Sequence, residues 1–505
     1  MSRREFMGAG SGLLLAATMA GRMSAFGATP AVWDQDWWNP ERPFALAQRP
    51  LSVQPVLMYR IPTPRHADSW KSWGAVQTPQ AVEEEAGRIA GELDALAKRA
   101  RFGLEIRPVM KVDTKEGAAL AGASDADVVL LYPAGNGGDL LRACLAGGNG
   151  MAFLRHRSGP VYYWYEAMSG RYMRTDGEGV EGDSRPLAMD DVVVDDTDEL
   201  LWRFSARQAL KNFRATRVLA LGGARGKYAE EAPEVARQKL GLDIVEVGYD
   251  VLEPRIQAAL ADKGRMALAE RWTDKYLAIS GTKLATERPF VVNSFILYGL
   301  FKEMMLEHGA PVFTINSCMG TIMPMAQTTA CLTLGLMNDE GLTAFCESDF
   351  VIIPAGVLMQ HIARKPVFLH NSTFPHKGIV TCAHCTSPRR MDGARYEPAL
   401  ITTHYESEFG AAPKVDMPVG QELSFISPEY ATGRWVGARG EVVDNPFLEI
   451  CRSQQDVRIH GNWRRLIPEA RDSHWMMAYG NHLDEIGYAA KRLGIVWDNV
   501  SDETA

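Results

Sequence analysis

Apolar residues recur along the chain with two periods that trade places every ten to twenty residues. VQPVLMYR (53–60) is a short, β-rich apolar run, and the 79–101 stretch (QAVEEEAGRIAGELDALAKRA) repeats its apolar positions at helical spacing. LEIRPVMKV then predicts a strand, TKEGAALAGA a helix, DVVLLYP a strand, GGDLLRACLAGG a helix and GMAFLRH a strand. Strands alternating with helices predict a doubly wound α/β domain over 45–168. A polar, Gly-rich segment, SGRYMRTDGEGVEGDSRPL (169–187), interrupts the pattern as a linker or long loop. Alternation resumes with DELLWRFSARQALKNFRA, RVLALGG, EEAPEVARQKLG and IVEVGYD, predicting a second α/β domain over 188–365. Beyond it, ALITTHYES, QELSFIS, GRWVGARGEVV and QDVRIHG are short alternating runs broken by Gly, Pro and Asn. They predict an antiparallel barrel or sandwich over 366–505, closed by the helix HLDEIGYAAKRLGI.

Composition changes this picture little. With 505 residues, 46% hydrophobic and 23% charged, the chain has the make-up of a globular protein of roughly three domains. Its formal charge of −8, without clustered Lys/Arg stripes, argues against nucleic acid or an anionic membrane surface as the main partner. The N-terminus carries more information. Ser2-Arg3-Arg4-Glu5-Phe6, a short weakly apolar run, Arg22 and small residues after it predict a signal peptide over 1–28. The arginine pair resembles the twin-arginine type, which implies the twin-arginine translocase as a partner and the periplasm as destination. Seven cysteines, at 144, 318, 331, 346, 382, 385 and 451, are too few and too scattered for a disulfide framework. The close pair Cys382/Cys385 is left as a local disulfide or two buried thiols.

Candidate chemistry gathers between Gly341 and Cys385, read as strand, helix, strand, turn, strand. Glu347 and Asp349 follow LTAFC, His370 and Asn371 follow PVFL, and His384 sits between Cys382 and Cys385 after GIVT. Carboxylate, amide and imidazole groups at strand ends are the donors a divalent metal needs, where a parallel sheet presents its site. Two Gly-rich turns compete for attention. Gly135-Asn-Gly-Gly138 matches no dinucleotide or Walker pattern and reads as a strand-to-helix turn. Gly222-Gly-Ala-Arg-Gly-Lys227 is either an anion cradle or an ordinary βα loop.

The motifs LMNDEGLTAFCESD, FLHN, AHC and SHWMMAYGNHLDEIGYAAKRLGI, in this order after two α/β domains, resemble the L-fucose/L-arabinose isomerase superfamily, its shorter fucose-isomerase-like members above all. They cover mainly 331–391 and 471–494; the N-terminal half agrees in architecture alone. The resemblance implies a divalent metal, usually Mn²⁺, a sugar substrate and a homo-oligomer. It implies aldose–ketose interconversion through an enediol, or epimerisation or related chemistry on an oxidised sugar. Residue by residue, it puts the family's Glu on Glu347, its C-terminal His on His474 and the His of its HC pair on His384. The family's Asp falls on Asn371, or a one-residue shift puts His370 there. Glu347 and Asn371 thus occupy the catalytic carboxylate positions, and Glu347, Asn371, His384 and His474 the metal positions. An amide is no base, and with one anionic ligand fewer the ion is held more weakly. A sugar-binding protein that has lost catalysis is the remaining expectation.

Overall fold

Thr78 accepts the Ala81 amide in its hydroxyl oxygen and Pro79 fills the first turn, so the first long helix, Pro79–Arg99, starts where the apolar spacing does. Its buried stripe, including Ile89, Leu93 and Leu96, covers one face of a parallel sheet. In this computed structural model the described residues are 32–74, 76–162, 187–429, 433–468 and 474–502. The expected signal over 1–28 and residues 169–186 of the Gly-rich segment lie outside them. Two compact units emerge, one over 48–211 and one combining the chain before 48 with 212 onwards.

In the first unit the strands are β1 (Leu51–Met58), β2 (Leu104–Ile106), β3 (Met110–Val112), β4 (Val128–Pro133), β5 (Gly150–Leu154) and β6 (Val192–Val194). All pairings are parallel, in the order β2-β1-β4-β5-β6, with β3 also on β1. LEIRPVMKV, expected as one strand, is two. The chain breaks at Arg107-Pro-Val109, where proline removes a ladder donor, and both halves pair with β1. Val53, Leu57 and Leu130 pack on one face, and Val56, Met58 and Leu131 on the other, so both faces are covered. Strand β6, which follows the Gly-rich segment, extends this first sheet, and the helix Thr197–Phe213 packs on it through Leu200 and Phe204, although the sequence placed both in the second domain.

In the second unit a sheet of β7 (Arg217–Leu221), β8 (Asp243–Val247), β10 (Val312–Ile315) and β11 (Thr343–Cys346) runs parallel in the order β11-β10-β7-β8. The chain goes outward from β7 to β8, then crosses to β10 and β11 on the other side. That places a topological switch point between β7 and β10, where such sheets bind ligands. Strands β9 (Thr282–Leu284), β14 (Ala399–Thr402) and β15 (Ala412–Val415) form a small separate sheet. The helix Arg288–His308 is buried for most of its length, with Trp38 and Trp272 packed around its Phe295 and Trp33 against Trp272.

The remaining strands are β12 (Phe368–Ser372), β13 (Ile379–His384), β16 (Glu422–Pro428), β17 (Arg434–Asp444), β18 (Ser453–Ile459) and β19 (His474–Tyr479). They close a six-stranded antiparallel barrel, since β16 pairs with both β19 and β17. Strand β20 (Val496–Asn499) adds to β17 in parallel, after the terminal helix Leu483–Arg492. The Gly341–Cys385 stretch therefore has the expected elements but not one sheet. Strand β11 ends the parallel sheet, whereas β12 and β13 belong to the barrel.

Candidate metal centre

The four residues of β11 are all buried, and the chain then takes two consecutive left-handed residues, Glu347 (φ 65°) and Ser348 (φ 50°). Neither is glycine, and each such residue costs about 1–2 kcal/mol. The loop after β7 holds the turn in place. The Arg225 amide donates to the Ser348 carbonyl (3.2 Å) and the Phe350 amide to the Arg225 carbonyl (2.8 Å). The Lys227 and Val351 amides both donate to Asp349 Oδ1, at 2.9 and 3.2 Å. A continuing strand would send Asp349 away from Glu347; this turn brings both into one site.

Glu347 Oε2 lies 3.1 Å from the Arg225 guanidinium and 3.8 Å from Lys227 Nζ. Its other oxygen, Oε1, lies 3.5 Å from His474 Nε2 and 4.0 Å from His384 Nε2. His474 opens β19, is fully buried, and places Nδ1 2.7 Å from Asp349 Oδ2. His384 ends β13, with Nδ1 2.9 Å from Thr386 Oγ1. One ligand atom each from Glu347, His384 and His474 lie within 4.8 Å of one another. Both imidazoles thus turn Nε2 towards the carboxylate while another group holds Nδ1, the arrangement that orients metal-ligating histidines. One oxygen and two nitrogen donors suit a borderline divalent ion, and their spacing fits one shared cation.

Burial pushes the Glu347 carboxyl up, but the adjacent His384 and His474 imidazoles outweigh it and hold the group well below the ordinary carboxylate range. Burial lowers His384, which stays neutral. Burial also opposes charge on His474, yet the hydrogen bond to Asp349 and the nearby Glu347 carboxylate prevail and raise its pKa to about 9. The ion-free site therefore carries an imidazolium proton at neutral pH, and a cation must displace it. Binding at pH 7 is expected to release one proton per ion, with affinity rising about tenfold per pH unit up to about pH 9. Calorimetry in buffers of different ionisation enthalpy measures this. In the ion-free protein the same raised pKa favours folding fully below about pH 6.5 and ceases to do so as pH rises through about 9.

Asn371 pairs directly across the strands with His474 and lines the same cavity, of about 770 Å³, as Glu347 and His384. His370 does not belong there. It pairs with Trp475 on the barrel's inner face, its ring edge-on to Phe425 and Trp475, and burial lowers its pKa to about 3. Register thus turns Asn371, and not His370, towards the site. Cys382 packs in the barrel core and Cys385 beside Cys331; both are free thiols, not a disulfide. Three features go beyond the sequence reading, which named Asp349 among the candidate donors without a role. Arg225 and Lys227, in the loop weighed as an anion cradle, flank the protein's own Glu347. Asp349 positions His474. His404, buried, lines the cavity. The position of Arg225 and Lys227 just after β7, beside the switch point, is the signal that would have found them. The chain matches no protein-family model and no curated protein.

Proposed function

We propose that this protein is a divalent-metal enzyme acting on a sugar, of the aldose–ketose isomerase type and similar to the fucose/arabinose isomerases, working after export to the periplasm. The observation that carries the reading is the convergence of Glu347, His384 and His474, the first two lining a roomy cavity beside the switch point of a parallel sheet. Mn²⁺ held by these three side chains, with the Asn371 amide oxygen beside them, would act as a Lewis acid on adjacent carbonyl and hydroxyl oxygens of the substrate. Asp349 keeps His474 in the tautomer that presents Nε2. Glu347 serves as ligand rather than base, because its carboxyl is held too far below neutral pH to accept a proton efficiently. The proton moving between neighbouring substrate carbons then falls to another group in the cavity. His404 fits that role: burial lowers its pKa, so it offers a neutral imidazole.

Asn371 favours a second reading, enediol-type chemistry on an oxidised or otherwise modified sugar. An amide at this wall donates hydrogen bonds to a substrate acceptor that a carboxylate would repel. The test is product analysis of the Mn²⁺-loaded protein with aldoses, ketoses and oxidised sugars in D₂O. Interconversion with deuterium at the exchanging carbon is the expected result. An Asn371→Asp variant that gains ordinary aldose isomerase activity supports the first reading, and one that loses activity supports the second. Neither exchange nor turnover with any sugar, at full metal occupancy, would leave a sugar-binding protein.

A further inference from the structure

Cys318 and Cys346 are 28 residues apart in sequence, yet their sulfurs touch at 4.0 Å. Cys346 is the last residue of β11, and Cys318 is the first residue of the helix Cys318–Ala326 that follows β10. The strands fix the pair from one side, since Ile315 of β10 is in register with Cys346. The helix fixes it from the other: Ser317, at φ 53°, turns the chain sharply into it. Both thiols are largely buried but line the wall of the cavity, where a small solute reaches them. Two packed cysteines are ordinarily small apolar residues in contact. Here the contact is between sulfurs, at the start of a helix whose free amides favour a thiolate. The hydrogen bond with Cys346 further holds the Cys318 thiol below its usual pKa.

We propose that Cys318 and Cys346 form a redox-active dithiol site that closes to an intrachain disulfide by exchange with a low-molecular-weight disulfide entering the cavity. In the first step the Cys318 sulfur attacks the small disulfide, forming a mixed disulfide and expelling one thiolate, which takes up the Cys318 proton. In the second step the Cys346 sulfur attacks Cys318 Sγ, forming the Cys318–Cys346 bond, and its proton leaves with the second small thiol. Two electrons pass from the cysteine pair to the small disulfide, which becomes two thiols. The sulfurs must approach from 4.0 Å to the roughly 2.05 Å of a disulfide. Cys346 immediately precedes Glu347, so closure acts on the wall from which that carboxylate projects. The inference stands on the sulfur contact and does not depend on the proposed isomerase activity.

The experiment is thiol counting and peptide mapping of the purified full-length protein after equilibration with glutathione disulfide. Wild type is expected to lose two of its seven alkylatable thiols, retain no glutathione, and yield a peptide linking residues 318 and 346. In Cys346→Ser the second step is blocked, and one glutathione is expected to remain on Cys318. The inference is overturned by a wild type that keeps all seven thiols, by a bridge between other cysteines, or by a stable glutathione adduct on Cys318 of wild type. The wild-type map decides the question alone should the variant fold poorly.

Discussion

Glu347→Gln is expected to lower divalent-metal affinity by more than about 100-fold, so that protein purified in parallel with wild type carries no ion. Glu347 supplies the one anionic donor of the triad. Even partners that only orient a ligand are worth about 10–100-fold in affinity, and a charged ligand is worth more. Its removal also leaves Arg225 and Lys227, which flank Oε2, without the carboxylate they pair with, and two uncompensated cations repel a third. The fold is expected to survive. Glutamine keeps the shape, and a part-exposed ion pair of this kind contributes only about 0–1 kcal/mol. Elemental analysis together with a thermal melt separates loss of the site from loss of the fold. A variant that melts like wild type and still binds one ion per chain would remove Glu347 from the ligand set.

Asp349→Asn is expected to weaken metal binding by about 10–100-fold without touching the metal. Asp349 Oδ1 accepts the Lys227 and Val351 amides, and an asparagine must keep its oxygen there to avoid opposing two N–H donors. Its NH₂ group then faces His474 Nδ1 in place of Oδ2 and donates to it. The imidazole proton is driven to Nε2, the atom that faces Glu347, and that nitrogen loses its ligating lone pair. The raised pKa of His474 falls as well, since its hydrogen bond to Asp349 is a main cause of the shift. Losing a buried charge-assisted hydrogen bond costs about 1.5–3 kcal/mol, which the melt reports. Nitrogen NMR of the ion-free proteins at neutral pH is expected to show His474 protonated at both ring nitrogens in wild type and at Nε2 alone in the variant. A variant with the wild-type protonation of His474 and wild-type affinity would show that Asp349 does not position this ligand.

Much of this arrangement was legible in the order of the motifs, and some of it was not legible at all. The buried strand TAFC, the polar strand ends and the paired elements around them follow from apolar period and turn residues. Glu347, His384 and His474 are far apart in sequence, and only the succession of ESD, AHC and SHW joined them. The boundary expected at 366 already assigned β12 and β13 to the barrel, whereas grouping Gly341–Cys385 at the strand ends of one parallel sheet did not, because short apolar runs such as PVFL and GIVT serve buried strands of either kind. The contribution of Asp349 was hidden for a local reason. It requires left-handed backbone at Glu347 and Ser348, which no glycine announces, and which the loop at Arg225–Lys227 enforces from more than a hundred residues away. The choice between His370 and Asn371 needed strand register, since neighbours in a strand face opposite sides.

The most direct measurement is a Mn²⁺ titration of the wild-type protein followed by electron paramagnetic resonance, with electron spin-echo modulation to detect bound nitrogen. The account predicts one ion per chain, with modulation from two imidazole nitrogens that is reduced in His384→Ala and in His474→Ala. A protein that binds no Mn²⁺, or binds it without nitrogen modulation, would contradict the site built from Glu347, His384 and His474.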